Sequence, residues 1–241
     1  MVSQQTLIRV VSVTLAVITF STIQAQSRIK WSADGNSYYK LDSGEIVEYI
    51  LPENKKTLLV NKKQLTPNGQ FSPLTINNYS FSSDKKKVLI YTNHKKVWRL
   101  NTRGDYWVFD FTTNTMKKLG IGRPESSMMF AKFSPDNSKV AYVSEYNIYV
   151  EDLSTDNIFQ LTTDGNRKLI NGSFDWAYEE EFFCRDGFRW SPDSKKIAFW
   201  QIDASSVGNY IMVNNIDSAY PFAMPVEYPI AGDRPSAYKI G

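Results

Sequence analysis

The densest group of chemistry-bearing side chains in this sequence is Glu179-Glu180-Glu181, framed by aromatics in Phe174-Asp175-Trp176-Ala177-Tyr178-Glu179-Glu180-Glu181-Phe182-Phe183. Asp175 is placed to N-cap a short helix over residues 178–183, since carboxylates are favoured at and just inside a helix start. Two readings stay open from these residues alone. A run of glutamates is ordinarily a solvated acidic turn. The flanking aromatics, however, favour burial, and carboxylates drawn toward an interior or a cavity wall repel one another until a cation offsets them.

The rest of the chemical menu is short. Cys184 is the only cysteine and His94 the only histidine. An intrachain disulfide and a thiolate metal cluster are therefore excluded, as are histidine-rich zinc sites. A serine triad would have to use His94, and no Gly-x-Ser-x-Gly elbow occurs in the chain. No catalytic residue and no metal or cofactor site is assigned. Cys184 is expected as a small buried hydrophobe beside Phe182 and Phe183. His94 is expected to be exposed in a turn over residues 93–96. Trp98, Trp107 and Trp176 are expected in the core or a cavity wall, and Asp203 and Asp217 as turn carboxylates.

The elements that must position the glutamates repeat. Trp31-Ser32-Ala33-Asp34, Phe81-Ser82-Ser83-Asp84, Phe133-Ser134-Pro135-Asp136 and Trp190-Ser191-Pro192-Asp193 each precede a few polar residues and then an apolar run. The copies start 50, 52 and 57 residues apart, at positions 31, 81, 133 and 190. In each, the aromatic is expected to end a strand in the core and the aspartate to bond nearby backbone amides in a tight turn. Unit three reads as strands over 139–144, 147–151 and 158–162, with Ile148, Val150, Phe159 and Leu161 as core candidates. Unit two reads as strands over 87–92, 104–111 and 115–119. That period, with several short strands per unit, predicts an all-β fold: a partial β-propeller of about four blades over residues 26–241. A short helical insertion carries the Glu-Glu motif just before the turn of the fourth unit.

With 241 residues, 42% hydrophobic and 22% charged, the composition is that of an ordinary globular protein. The net charge of +3, with scattered lysines, points to no nucleic-acid partner. Residues 1–25 have the form of an export signal: Arg9, an apolar run over 10–20, and a small residue, Ala25, at the cleavage position. The apolar run is shorter than the roughly 20 residues that span a bilayer, so cleavage is preferred over an uncleaved anchor. The expected location is periplasmic or secreted.

With these residues in hand, the sequence resembles the dipeptidyl peptidase IV family, serine exopeptidases of the prolyl oligopeptidase class. The resemblance rests on Asp175-Trp176-Ala177-Tyr178-Glu179-Glu180-Glu181, on Trp190-Ser191-Pro192-Asp193, on Tyr228-Pro229-Ile230-Ala231-Gly232 and on Val97-Trp98-Arg99. It covers most of the mature chain and is most specific over residues 171–232. It implies a propeller that covers an α/β-hydrolase domain, with a helix inserted into a blade. It further implies that Glu180 and Glu181 grip the free α-ammonium of a peptide substrate, that Arg99 binds the carbonyl oxygen of its first residue, and that Glu179 faces away. The nucleophile and the catalytic histidine of that family are missing from this sequence. The chain is therefore expected to be a portion of such a protein, inactive alone and completed by the missing hydrolase domain, with a homodimer as one option. The competing expectation is a non-catalytic exported propeller that binds a protein or peptide partner.

Overall fold

The computed structural model describes residues 29–241, so the export signal expected over residues 1–25 lies outside the described part. The chain forms two compact units, one ending at Thr66 and one spanning Pro67–Gly241. The first is a four-stranded antiparallel meander: β1 (Lys30–Trp31), β2 (Ser37–Asp42), β3 (Glu45–Ile50) and β4 (Lys55–Val60), in that order. Ile46, Val47, Val60 and Leu65 are fully buried within it.

The second unit starts with two further meanders. One comprises β5 (Asn78–Phe81), β6 (Lys87–Val97), β7 (Leu100–Asp110) and β8 (Thr115–Lys118). The other comprises β9 (Met128–Phe133), β10 (Lys139–Ser144), β11 (Asn147–Asp152) and β12 (Ile158–Gln160). They join into one eight-stranded sheet because β7 pairs with β9, through Arg103 opposite Met129 and Gly104 opposite Met128. Gly104 is required there, since a Cβ would lie 2.3 Å from the Tyr91 ring. β10 shows why these blades hold together. Val140 and Tyr142 enter one core with Leu89, Val108 and Met128. Ala141 and Val143 enter another with Met129, Ile148 and Phe188. Alternate residues of a strand face opposite sides, so a sheet covered on both sides reads as a continuous apolar run.

The fourth set is built on β15 (Ile197–Asp203). β13 (Leu169–Asn171) and β14 (Phe188–Trp190) pair with its two halves, Gln201–Asp203 and Ile197–Phe199 respectively. β18 (Ala237–Ile240) takes the opposite edge. A separate hairpin, β16 (Asn209–Asn214) with β17 (Phe222–Glu227), completes the set. The helix α1 (Trp176–Glu181) falls between β13 and β14. The fold is thus nearly all-β, of propeller-blade meanders with a short helical insertion.

The four sequence repeats are four copies of one turn. In each, the serine hydroxyl donates to the aspartate two residues on, at 2.6, 2.6, 2.5 and 2.6 Å. The same hydroxyl accepts from the amide that opens the next strand, at Ser37, Lys87, Lys139 and Lys196. The aspartate itself accepts from a backbone amide, that of Asn36, Lys86, Ser138 or Lys195. These bonds favour the ionised carboxylate. Asp34 and Asp136 are lowered to about 2, with the serine hydroxyl as the largest cause. Neighbouring turns of the second unit are also tied together. Asn137 accepts from the Ser83 amide at 3.0 Å and donates to its hydroxyl at 2.8 Å, and the Asp136 amide donates to the Ser194 hydroxyl at 2.9 Å.

Several local expectations are corrected. Trp31 is 61% exposed, and Phe81, Phe133 and Trp190 are half-buried, so the repeat aromatics border the core rather than fill it. Ile148 and Val150 are buried, but Phe159 and Leu161 are about half exposed, because β12 ends its sheet and has only one neighbour to cover it. Residues 93–96 are not the turn: β6 continues through them with bulges, and the reversal falls between Val97 and Leu100. His94 is exposed there.

Candidate functional site

The helix α1 sits on an excursion from an interrupted strand. β13 stops at Asn171 and β14 resumes at Phe188, on the same edge of β15. The excursion is pinched shut at its base. Gly172 N donates to Trp200 O at 2.9 Å, Trp200 N donates to Gly187 O at 2.9 Å, and Gly187 N donates to Gly172 O at 3.0 Å. Gly172 has φ of +74°, and a Cβ there would lie 2.8 Å from Ile148 Cγ1. A Cβ on Gly187 would lie 2.9 Å from the Gly172 carbonyl carbon. The two glycines let the chain leave and rejoin a strand without breaking the sheet around it.

Within the excursion, Asp175 caps α1 by accepting from the Tyr178 amide at 3.1 Å. Its other oxygen accepts from the buried Ser236 hydroxyl, and Tyr178 donates its own hydroxyl to Ser236 O at 3.2 Å. The helix runs over Trp176–Glu181, two residues earlier than the expected 178–183. It ends because Phe183 takes a left-handed φ of +58° and the Cys184 amide turns back to Tyr178 O at 3.0 Å. Phe182 and Phe183 are 65% and 75% exposed, against the expected burial, and Cys184 beside them is half-buried rather than core.

Successive helical residues point about 100° apart, and the three glutamates therefore meet three environments. Glu179 is buried and lies 3.4 Å from Arg185 Nε, an ion pair too poorly aligned to be a hydrogen bond. Burial pushes its carboxyl up to about 6; Arg185 opposes the shift, the charge of Glu180 adds to it, and Arg103 opposes it weakly. Glu180 is buried too, and its Oε2 pairs with Arg99 Nε. Glu180 Oε1 is left without a hydrogen-bond partner. Glu181 is exposed and forms no ion pair among the described residues.

Arg99 comes from a different element. It sits in the reversal between β6 and β7, after Trp98, whose φ is +49°. Its side chain is largely solvent-exposed while its partner carboxylate is buried. Glu180, Glu181 and Arg99 are thus gathered at the C-terminal end of α1: one oxygen of Glu180 is neutralised, one is open, and Glu181 faces water. A group with several N–H donors and a positive charge suits that arrangement. Sequence reasoning missed Arg185 and Arg103 as the cations near Glu179, and Ser236 as the support of the cap. The paired glycines at 172 and 187 were the available signal for the excursion.

The blade meanders and the strand-interrupting helix define the class: a β-propeller region carrying an inserted acidic helix. Residues 82–240 match the family model described as the dipeptidyl peptidase IV N-terminal region. The chain belongs to that family. It is 31% identical over 238 residues to dipeptidyl aminopeptidase B of Saccharomyces cerevisiae, covering 91% of this chain and 28% of that protein. It is 32% identical over 237 residues to a probable dipeptidyl-aminopeptidase B of Pyrenophora teres, covering 86% of this chain and 26% of that protein. The crystal structure of Porphyromonas gingivalis dipeptidyl peptidase 4 superimposes with a TM-score of 0.83 at 30% identity, over 93% of this chain and 32% of that one. The chain thus spans under a third of the length of these relatives.

Proposed function

We propose that this chain is the substrate-gripping propeller part of a serine-type dipeptidyl peptidase, and that it holds the free N-terminus of a peptide at Glu180 and Glu181. The observation that carries the reading is Glu180: a buried carboxylate with one oxygen on Arg99 and the other without a donor, next to the exposed Glu181. An α-ammonium has a pKa of about 8 and is largely protonated at neutral pH. Its three N–H donors fit two carboxylates that have lone pairs to spare. Arg99, already turned toward Glu180, would take the first carbonyl oxygen. Such a grip fixes how far a peptide reaches past the clamp and so measures its length, without breaking a bond itself. A hydrolase domain would supply cleavage. Export is part of the same reading, on the sequence of residues 1–25; among the described residues no helix is long and apolar enough to cross a membrane.

The test is calorimetric titration of the chain with an Ala-Pro-initiated peptide amide of about six residues and its N-acetylated twin. Charge-assisted hydrogen bonds of about 1.5–3 kcal/mol predict at least tenfold weaker binding on acetylation. Glu181→Gln should weaken the free peptide by a similar factor and leave the acetylated one unchanged. Equal affinity of the two peptides for the wild-type chain would sink the clamp. A second reading, a propeller that binds a protein partner, is favoured by the exposed apolar residues Tyr210, Ile211, Val213, Ile216 and Tyr220 on and beyond β16. In that case acetylation would make no difference.

A further inference from the structure

Behind α1, on the side away from Glu181, lies a cavity of about 540 Å³. Its walls come from the β6–β7 reversal (Val97, Trp98), from Ile170 and Trp176, and from the β16–β17 hairpin (Met212, Val226). None of Arg99, Glu180 and Glu181 lines it. That size falls within the roughly 300–1,000 Å³ of small-molecule sites, and an apolar wall with a few convergent polar groups is their usual make-up.

The charged groups in the wall divide into engaged and open ones. Glu145 lies 3.8 Å from Arg123 and Asp175 is occupied by the cap and Ser236, whereas Glu227, though ion-paired with Arg167, keeps its Oε1 without a hydrogen bond. Glu179 is a second such carboxylate. Its side chain is 4% exposed, it lines the cavity, and Oε1 has no hydrogen bond despite the loose ion pair to Arg185. Arg103 and Lys96 line the same cavity and form no ion pair among the described residues. A buried acceptor without a donor is a cost to the fold, and a ligand donor would recover it.

We propose that this cavity binds a small zwitterion, an amino acid or dipeptide whose ammonium meets Glu179 and whose free carboxylate meets Arg103 and Lys96. A simple cation would be repelled by the two basic side chains. A simple anion would face the buried Glu179 carboxylate. A dipolar ligand satisfies both ends at once, and its side chains fit the Trp98, Trp176 and Met212 wall. This site is additional to the Glu180–Glu181 clamp and does not depend on it, because the clamp needs only an ammonium while the cavity needs both charges.

The experiment titrates the full chain, by calorimetry and by ¹H–¹⁵N chemical-shift mapping, with alanyl-alanine, its C-terminal amide and its N-acetyl derivative. The expected result is carboxylate-dependent binding: the free dipeptide binds at least tenfold tighter than either derivative. Glu179→Gln and Arg103→Met should each abolish that preference, with thermal midpoints recorded to confirm folding. In Glu181→Gln the preference for the free dipeptide over its amide should survive, since the clamp reads only the ammonium. Arg103 is only half-buried, so its variant keeps the test open even where Glu179→Gln unfolds. Equal binding of dipeptide and amide, a preference unchanged in Arg103→Met, or no binding up to about 10 mM would each overturn the proposal. A preference lost only in Glu181→Gln would place the dipeptide at the clamp, ending the cavity proposal and leaving the clamp standing. Loss of the acetylation effect on the longer peptide, with this preference intact, would do the reverse.

Discussion

At the scale of single residues, the three glutamates show how one helical turn assigns different electrostatics to identical side chains. Glu179 has a carboxyl raised from 4.5 to about 6, chiefly by burial. The folded chain therefore holds this proton more tightly than the unfolded chain does. The resulting stabilisation is complete below a pH of about 4.5 and is lost as pH rises through about 6. Arg185, Glu180 and Arg103 are the charged groups acting on it. In Glu179→Gln that pH-dependent loss disappears. Between about pH 4 and pH 7.5 the variant should gain about 1–2 kcal/mol on the wild type, from about 1.4 kcal/mol per pKa unit discounted for solvent screening. Urea denaturation at both pH values measures the difference, and parallel behaviour of the two proteins would contradict it. Arg99→Met tests the neighbouring pair. It strands a buried carboxylate, but Arg99 is 79% exposed and water replaces part of its contribution. We expect a loss of about 1–2 kcal/mol rather than the larger cost of breaking a fully buried pair. The double variant Arg99→Met with Glu180→Gln should recover most of it in a thermal melt.

At the scale of elements, α1 is held in place by how the strand is interrupted as well as by its own caps. Six residues are too few for a helix to persist by propensity. The glycine-pinched base, Asp175 with Ser236, and the left-handed Phe183 supply the missing constraints. Gly172→Ala introduces a Cβ 2.8 Å from Ile148 Cγ1 and 2.9 Å from Val143 Cγ2, at a residue of positive φ. Both faults act together, so a destabilisation of about 2–3 kcal/mol is expected. Hydrogen exchange should show the loss first in residues 172–187. Unchanged protection there would mean that the excursion is not anchored at its base.

At the scale of the whole molecule, the second unit is held both by its sheets and by hydrogen bonds from turn to turn. Asn137, at φ of +62°, reaches back to both the amide and the hydroxyl of Ser83, while Ser194 reaches the Asp136 amide. Asn137→Ala removes two hydrogen bonds and leaves a left-handed residue without the side chain that tolerates it. The expected cost is about 1–3 kcal/mol, read as a lower urea midpoint with an unchanged m-value. The contrast is Asp152→Asn, whose turn bonds are local, to Ser154 and Thr155, and which should cost less.

The turn units were legible in the sequence because their chemistry is local. Serine, aspartate and the next strand's amide lie within six residues of one another, so their spacing alone specifies the bonds, and four copies announce a blade repeat. The single histidine and cysteine likewise bounded the chemistry. The serine's double role as donor and acceptor was missed, since the aspartate alone accounts for a turn. What only the tertiary structure decided are the contacts between residues distant in the chain. Arg99 meets Glu180 because the β6–β7 reversal and α1 converge, and Glu179 faces a cavity because the β16–β17 hairpin closes over it. Phe159, Leu161, Phe182 and Phe183 read as core yet lie exposed, for hydrophobicity states a preference while the neighbouring strands determine whether it is met. Glu179-Glu180-Glu181 is the clearest case. Its composition determined that charge would gather there, and the helix's rotation per residue, set against three different neighbours, decided which carboxylates are buried and which one faces water.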